Sequence, residues 1–292
     1  MDLNGDGFND ILSGSYSRNG QPMAGLFQVL WGKADRTFQP AEVLKGTDEK
    51  PLLIPLGPEK DAWIDCICTR PTAVDWDGDG KLDLITGNFT GTFYLFRGEG
   101  NGRFLPQGGL VRCDEGPLKI KGSHSDPFLV DWDHDGDLDL LSGSSEGGVQ
   151  WSENVAGPGK LPQVKPFQIL IERNRPPESD KTLGEADLTG PVMATRIWVD
   201  DINSDGKLDI LVGDTVTLIS PAEGVTEEEL ATRSEAWQRE WKDALKEVQS
   251  LEGDSDEEKK AEAQKRLQKL HTSRASFVKE EMTGFVWVYL QK

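Results

Sequence analysis

The chain has 292 residues and a formal net charge of −19. This charge disfavours binding to nucleic acids and to anionic membranes, since both are polyanions. Its 32 glycines and 9 tryptophans are typical of a globular, β-rich protein with many tight turns. No apolar run is long enough to cross a membrane. No signal peptide is visible at Met1, which a loop aspartate follows at once, as expected for a start inside a domain.

A short acidic segment occurs four times along the chain. Each copy follows the pattern D-x-[DN]-x-D-G-x-x-D and continues into apolar residues and a glycine. The copies are DLNGDGFNDILSG, DWDGDGKLDLITG, DWDHDGDLDLLSG and DINSDGKLDILVG, and their first nine residues are called loops 1 to 4. Their starts at Asp2, Asp75, Asp131 and Asp201 are 73, 56 and 70 residues apart, which indicates one structural repeat per loop.

The spacing within each loop predicts a site for a hard cation. Oxygens at positions 1, 3 and 5 converge on one ion when the chain turns tightly, position 7 offers its backbone carbonyl, and position 9 adds a carboxylate. Glycine at position 6 permits the positive φ of a sharp turn. All-oxygen ligation favours calcium over zinc or copper, while magnesium demands a stricter octahedron. The predicted ligands are Asp2, Asn4, Asp6, Phe8, Asp10, Asp75, Asp77, Asp79, Lys81, Asp83, Asp131, Asp133, Asp135, Asp137, Asp139, Asp201, Asn203, Asp205, Lys207 and Asp209.

Two alternatives compete with this interpretation. An EF-hand needs a glutamate at position 12, where these copies carry serine, threonine or valine, so that class is excluded. Asx-rich turns without metal are the second alternative. Four copies with the same glycine and final aspartate favour up to four calcium ions, because unneutralised carboxylates this close would repel one another. We expect dissociation constants on the order of 10⁻⁴–10⁻³ M, with loops 1 and 4 weaker because Asn4 and Asn203 replace aspartate.

Short apolar strands surround each loop in a fixed order. A first strand precedes loops 2 to 4, a second strand follows each loop directly, and third and fourth strands come next. The predicted first strands are residues 71–74, 127–130 and 195–199, the third strands 25–32, 91–97 and 148–153, and the fourth strands 38–44, 104–111 and 167–171. Units of four short strands are typical of β-propeller blades.

With these loops and the turn GNGRF at residues 100–104, the chain resembles the FG-GAP/VCBS repeat family, whose blades are similar to those of the integrin α-subunit propeller. The resemblance covers most of residues 1–220. It implies an all-β fold with four recognisable propeller blades, calcium between the first and second strands of each blade, and an extracellular, periplasmic or cell-surface location.

The two ends of the chain predict incomplete blades. Blade 1 begins at its loop, and residues 284–292 are expected to return as the third strand of blade 4. Either the chain is part of a larger propeller, or the partial blades complete each other in a four-bladed ring. The first interpretation is preferred, because open edge strands promote aggregation.

Residues 221–283 interrupt the β pattern as a predicted helical insertion. Thr226 and Glu229 form a capping box, apolar residues follow at heptad-like, coiled-coil spacing, and Gly253-Asp-Ser-Asp separates a second amphipathic run that ends at Met282. We predict a hairpin of two helices of about 25 residues each within 225–282, between the second and third strands of blade 4. Its apolar face either packs internally or docks a partner through Trp237 and Trp241.

Residues near the centre of the predicted propeller are the candidates for ligand binding or catalysis. Arg70, His124, Asp126 and Arg196 each lie near the beginning of a first strand. Arginine pairs with carboxylates and phosphates, and histidine serves as an acid or base. The family topology implies that segments 45–70, 112–126 and 172–196 emerge with the hairpin on the face opposite the loops. Phosphate-loop, Rossmann and HExxH motifs are absent from the sequence, and its scattered histidines and three cysteines disfavour zinc.

Two function classes follow from this sequence. The preferred one is a calcium-binding extracellular module for protein or carbohydrate binding or adhesion, with the calcium structural and no catalysis. The alternative is an extracellular polysaccharide lyase or hydrolase whose site lies in the propeller funnel.

Overall fold

The computed structural model describes residues 1–16, 24–55, 62–174, 182–251 and 256–292. The chain divides into two compact units. The first comprises Met1–Arg173, Pro191–Asp214 and Phe285–Lys292 and is built from β-sheets, and the second comprises Asn174–Gly190 and Thr215–Gly284 and contains the helices. In these described ranges no helix is long and apolar enough to span a bilayer. All three cysteines are free thiols.

The first unit consists of consecutive antiparallel sheets. Sheet 1 contains β1 (Ile11–Ser13), β2 (Gln28–Leu30) and β3 (Glu42–Val43). The 3₁₀ turn Ala62–Cys66 precedes sheet 2, whose first three strands are β4 (Arg70–Val74), β5 (Asp83–Gly87) and β6 (Phe93–Phe96). A separate small hairpin of β7 (Gly98–Gly100) and β8 (Arg103–Phe104) follows in the chain, and β9 (Gly109–Leu110) then returns as the fourth strand of sheet 2. A second small hairpin pairs β10 (Arg112–Cys113) with β11 (Gly116–Pro117).

Two further sheets complete the first unit. Sheet 3 contains β12 (Asp126–Val130), β13 (Asp139–Gly143), β14 (Val149–Ser152) and β15 (Gln168–Ile171). Sheet 4 contains β16 (Met193–Asp200), the first part of β17 (Asp209–Pro221), and the last strand of the chain, β19 (Val286–Tyr289). The four-strand unit is present in sheets 2 and 3, and sheet 1 begins at its second strand. The described strands form separate sheets without closure of any one sheet on itself, so the propeller stays a prediction.

The fourth strands are shorter than predicted. Segments 38–44 and 104–111 were expected to pair along their length, but β3 and β9 contain two residues each. Pro40 and Pro106 explain the difference, because proline has no N–H to donate to a ladder. Paired glycines at 108 and 109 weaken the strand further.

Apolar layers separate neighbouring sheets, and the second strands supply side chains to the layers on both of their faces. In β5, Leu84 faces the layer shared with sheet 1, whereas Ile85 faces the layer shared with sheet 3. In β13, Leu140 and Leu141 divide in the same way between the layers on either side. All five residues of each strand are buried, which explains why these strands are continuous apolar runs rather than alternating ones.

A buried hydrogen-bonded contact, here called the hydroxyl latch, joins each sheet to the next. One residue of each pair lies two positions after the end of β1, or one position after the end of β5 or β13. Its backbone N–H donates to a side-chain hydroxyl at the start of the next sheet. Its backbone carbonyl accepts the N–H of the residue that carries this hydroxyl. The pairs are Ser15 with Thr69 (2.7 and 3.0 Å), Asn88 with Ser125 (2.9 and 3.0 Å), and Ser144 with Thr195 (2.9 and 2.9 Å).

A glycine precedes each latch because the two backbones approach too closely for a side chain. A Cβ on Gly14, Gly87 or Gly143 would lie 1.9, 2.2 or 2.3 Å from the carbonyl oxygen of the latch hydroxyl residue. None of the three has a positive φ, so the requirement is for space rather than for conformational freedom. The glycine that ends the first three copies is therefore a packing requirement between sheets, whereas Gly213 in the fourth copy has room for a Cβ.

The second unit is a β-ribbon that carries a helical hairpin. The C-terminal part of β17, Val216–Pro221, pairs with β18 (Val278–Thr283). Leu183, which precedes the 3₁₀ turn Glu185–Asp187, forms an isolated β-bridge with Ile219. Between the two strands lie α1 (Glu227–Ser250), α2 (Glu257–Ser273) and the 3₁₀ turn Arg274–Ser276, which together confirm the predicted hairpin.

The predicted capping box begins α1. The Thr226 hydroxyl accepts the Glu229 N–H at 3.2 Å, and the Glu229 carboxylate accepts the Thr226 N–H at 2.9 Å. Asp256 caps α2 by accepting the Lys259 N–H at 3.2 Å. The rest of the predicted helix break, residues 253–255, lies outside the described residues.

The prediction that the second helix extends to Met282 is wrong. α2 has 17 residues and α1 has 24, and Met282 lies in β18 with 77% of its surface exposed. Residues 278–283 form a continuous ladder with β17, so strand pairing overrides the helical spacing of Phe277 and Met282.

The apolar face of α1 packs within the second unit. Leu230, Phe277 and Val278 are buried together. The Trp237 indole N–H donates to the Leu270 carbonyl at 2.8 Å, and Trp241 stacks on Trp237 with ring centres 5.0 Å apart. Both tryptophans therefore contribute to the hairpin itself, and partner docking on the hairpin stays a prediction.

The close approach at the latch predicts the cost of adding one methyl group. We expect Gly143→Ala to lower the free energy of unfolding by at least about 2 kcal/mol, because the new Cβ must displace the Thr195 backbone. Gly109→Ala is the matched control, since a Cβ there meets no atom within 4 Å. Urea unfolding followed by tryptophan fluorescence measures both. Equal stability of the two variants would contradict the latch.

Candidate metal centres

The four acidic loops share one backbone fold, which the first aspartate organises. In every loop one oxygen of this carboxylate accepts the N–H of position 5, at 3.0 or 3.1 Å, and the other accepts the N–H of position 6, at 2.8–3.1 Å. The position-5 carboxylate in turn accepts the N–H of position 7, at 2.9–3.1 Å. These bonds hold the loop in the tight turn that ligand convergence requires.

Left-handed backbone occurs at two positions of each loop. The position-6 glycines have φ between +83° and +94°, as the sequence predicts. Position 4 is also left-handed, and there two loops carry His134 (φ +64°) and Ser204 (φ +60°) rather than glycine. Sequence reasoning missed position 4, because its identity changes from loop to loop and leaves no signature.

The ninth-position aspartate of each loop forms a buried clasp between the loop and the third strand of its sheet. One oxygen accepts the N–H of the residue two positions after the end of the third strand, from Gly32, Gly98, Asn154 or Gln291, at 2.7–3.0 Å. In loops 1, 3 and 4 the other oxygen accepts the N–H of loop position 2, at 2.8–3.1 Å. An ionised carboxylate has about four lone-pair sites, so the clasp leaves capacity for a cation.

Two loops bring three aspartates within metal-binding distance of one another. In loop 2 these are Asp75, Asp77 and Asp79, and in loop 3 they are Asp131, Asp133 and Asp135, with one oxygen of each lying within 4.8 Å of the others. Either triad could hold a metal ion. In loops 1 and 4 the amide groups of Asn4 and Asn203 instead donate to the position-5 carboxylate at 3.1 Å.

A positively charged side chain from outside loop 2 lies among its aspartates. Arg97, directly after β6, pairs with Asp77, and its guanidinium also lies 3.9 Å from Asp79 and 3.5 Å from Asp83. The corresponding residue of sheet 3, directly after β14, is Glu153, which pairs with Lys165 at 2.8 Å. Arg97 and Glu153 were not among the site residues predicted from the sequence, although both lie at the ends of predicted third strands, close to where the loop aspartates were expected.

Loop 3 concentrates negative charge without such a cation. Burial raises the pKa of Asp139 to about 6, and the Asp133 charge adds to the rise. Burial also raises the pKa values of Asp133 and Asp137, and the charge of Asp135 adds to both. In the described part of the chain none of the loop 3 aspartates forms an ion pair with lysine, arginine or histidine, so their charges remain uncompensated.

Two buried carboxylate oxygens have no hydrogen-bond partner among the described residues. Asp137 accepts the Gly157 N–H at 2.6 Å through one oxygen, while its other oxygen is buried and unpartnered. The second case is Asp83 Oδ2 in loop 2. Burying a polar atom without a partner costs free energy, so each of these oxygens is destabilising unless a ligand or water satisfies it.

The four candidates for the central funnel meet at the starts of the first strands. The Asp126 carboxylate lies 3.5 Å from the Arg196 Nε and 4.0 Å from the Arg70 Nε. Arg70 donates to the His124 carbonyl at 2.9 Å, and the His124 ring packs edge-on against Phe89, with ring centres 4.6 Å apart. The structure therefore brings these residues together, while their roles stay predictions.

Comparison with known proteins agrees with the repeat. Residues 75–142 match the FG-GAP-like repeat family, and this span begins at the first aspartate of loop 2 and ends within the second strand after loop 3. A search of curated protein sequences gave no significant match. Residues 75–142 therefore contain an FG-GAP-like repeat.

Proposed function

We propose that this protein is a calcium-binding β-propeller module that acts outside the cytoplasm by binding protein or carbohydrate. An FG-GAP-like repeat suggests a propeller-type binding or adhesion module. In this proposal the calcium is structural, because loops 2 to 4 each join the first strand of a sheet to the second. The ions rigidify the blades, and recognition takes place elsewhere on the molecule.

The observation that carries the calcium proposal is the uncompensated charge of loop 3. Three carboxylates converge there, and none of them forms an ion pair with a cationic side chain among the described residues. Like charges at such separations repel strongly at a partly buried site. A hard divalent cation removes the repulsion, and calcium accepts the flexible, all-oxygen coordination that the loop offers.

The order of the sheets supports the propeller. Strands of successive sheets lie side by side, with β4 in contact with β1 and β12, and β12 in contact with β4 and β16. The hydroxyl latch repeats at each of these junctions with nearly unchanged distances. Repetition of one junction between successive small antiparallel sheets supports an arrangement of blades around an axis.

The alternative enzyme function has less support. Asp126 lies between two arginines, which suits an anchored anion rather than a free general base. His124 would have to act as the base of a polysaccharide lyase or hydrolase, and its ring Nδ1 already lies 3.0 Å from the Ser123 hydroxyl. We therefore favour binding over catalysis.

Calcium added to chelator-treated protein should raise its melting temperature. At 10 mM calcium, a site with a dissociation constant on the order of 10⁻⁴–10⁻³ M stabilises the fold by about 1.4–2.7 kcal/mol. Asp133→Asn should remove most of this gain, whereas Asp114→Asn, at an exposed position outside the loops, should retain it. Differential scanning calorimetry checks both variants. An unchanged melting temperature at 10 mM calcium would sink the proposal.

Arg97 should weaken calcium binding to loop 2, because its guanidinium already neutralises that triad. We expect Arg97→Gln to increase the affinity of loop 2 by about tenfold, a difference of about 1.4 kcal/mol. Isothermal titration in an Asp133→Asn background isolates loop 2 from loop 3. Affinity that is unchanged or lower in the Arg97 variant would show that the arginine does not compete with the ion.

A further inference from the structure

A charged cluster lies at the opposite ends of the strands that carry the loops. The loops follow the ends of β4, β12 and β16, whereas Arg70, Asp126 and Arg196 lie near their beginnings. A five-residue strand is about 15 Å long, so this cluster is separate from the aspartate triads. Each of its three charged residues comes from a different sheet of the same unit.

The cluster has an excess of positive charge. Two guanidiniums face a single carboxylate, in a chain whose net charge is −19. Burial lowers the pKa of Arg70, and the nearby charge of Arg196 lowers it further. Burial, with the two arginine charges, also lowers the pKa of His124, so the excess of positive charge comes from the arginines rather than from the histidine. An added anion would relieve the repulsion between the arginines.

Among the described residues, both arginines retain hydrogen-bond donors without an acceptor. Arg70 uses Nη1 on the His124 carbonyl at 2.9 Å, and Arg196 uses Nη1 on the Thr195 carbonyl at 2.7 Å. Within the described ranges the Nη2 group of neither arginine has a partner. Guanidinium forks match carboxylate oxygens in geometry and charge, and Asp126 forms an ion pair with the Nε side of each fork.

An exposed aromatic surface adjoins the charged groups. Residues two apart on a strand share a face, so Phe128 follows Asp126 and Trp198 follows Arg196 on the same side. The two rings meet edge to face with centres 5.5 Å apart, and Trp198 is 57% exposed. Aromatic rings beside a few convergent polar groups are typical of small-molecule sites.

We propose that Arg70 and Arg196, positioned by Asp126, bind the carboxylate of a small organic acid whose flat or C–H-bearing face packs on Trp198. One uncompensated positive charge fits one carboxylate. A sugar acid and an aromatic acid both offer this chemistry. The site does not depend on calcium, because no loop residue contributes to it.

Isothermal titration with matched pairs of probes tests this site. The probes are galacturonate with neutral galactose, and benzoate with neutral benzyl alcohol, each titrated with and without EDTA. We expect at least one carboxylate to bind with a dissociation constant below about 10 mM while its neutral counterpart does not bind. Which acid binds identifies the class of ligand, and binding that persists in EDTA separates this site from the calcium proposal.

Variants locate the binding. Arg196→Gln should weaken carboxylate binding by about tenfold or more, and Arg196→Lys should recover only part of it, because lysine keeps the charge but loses the fork. Arg112→Gln is the matched control at an exposed arginine outside the cluster, and calorimetry verifies that each variant is folded. Failure of both acids to bind, equal binding of the neutral probes, or full binding by a folded Arg196→Gln protein would overturn the proposal.

Discussion

The buried carboxylate that ends each acidic loop is the constraint on which the rest of the first unit depends. Asp10, Asp83, Asp139 and Asp209 are at most 5% exposed, and a buried charge is tolerated only where hydrogen bonds or counter-ions satisfy it. Backbone N–H groups of the loop and of the chain after the third strand provide those bonds. This clasp fixes the loop over its sheet, sets the register of the strands beside it, and keeps the remaining aspartates close together.

Holding aspartates together creates a repulsion that each loop resolves differently. Loop 2 places Arg97 among its carboxylates. Loops 1 and 4 replace one carboxylate by the neutral amide of Asn4 or Asn203. Loop 3 has neither device, and among the described residues no cationic side chain pairs with its aspartates, three of which carry raised pKa values. In this account loop 3 is the site with the strongest need for a cation. The sequence-based ranking, which put loops 2 and 3 together, did not separate them.

Sequence reasoning succeeded where one residue type serves one local purpose. The position-6 glycines, the capping box of α1 and the succession of strands around each loop follow from backbone chemistry within a few residues. It failed where distant segments decide the outcome. Strand β18 looks helical until its pairing with β17 is known. The glycine at or directly after the end of β1, β5 and β13 lies close to the backbone of the next sheet, which local sequence does not reveal. Likewise, Arg97 reaches the loop 2 aspartates from the chain directly after β6. The clustering of Arg70, Asp126 and Arg196 was foreseen because the family topology places the starts of the first strands together.

The most direct test of this account is a crystal structure of the protein grown in millimolar calcium, with anomalous data that distinguish calcium from water. The account predicts an anomalous peak in loop 3, at about 2.3–2.6 Å from side-chain oxygens of Asp131, Asp133 and Asp135, with a weaker peak or none in loop 2 while Arg97 remains paired. Loop 3 aspartates that bind only water in such a crystal would contradict the central claim.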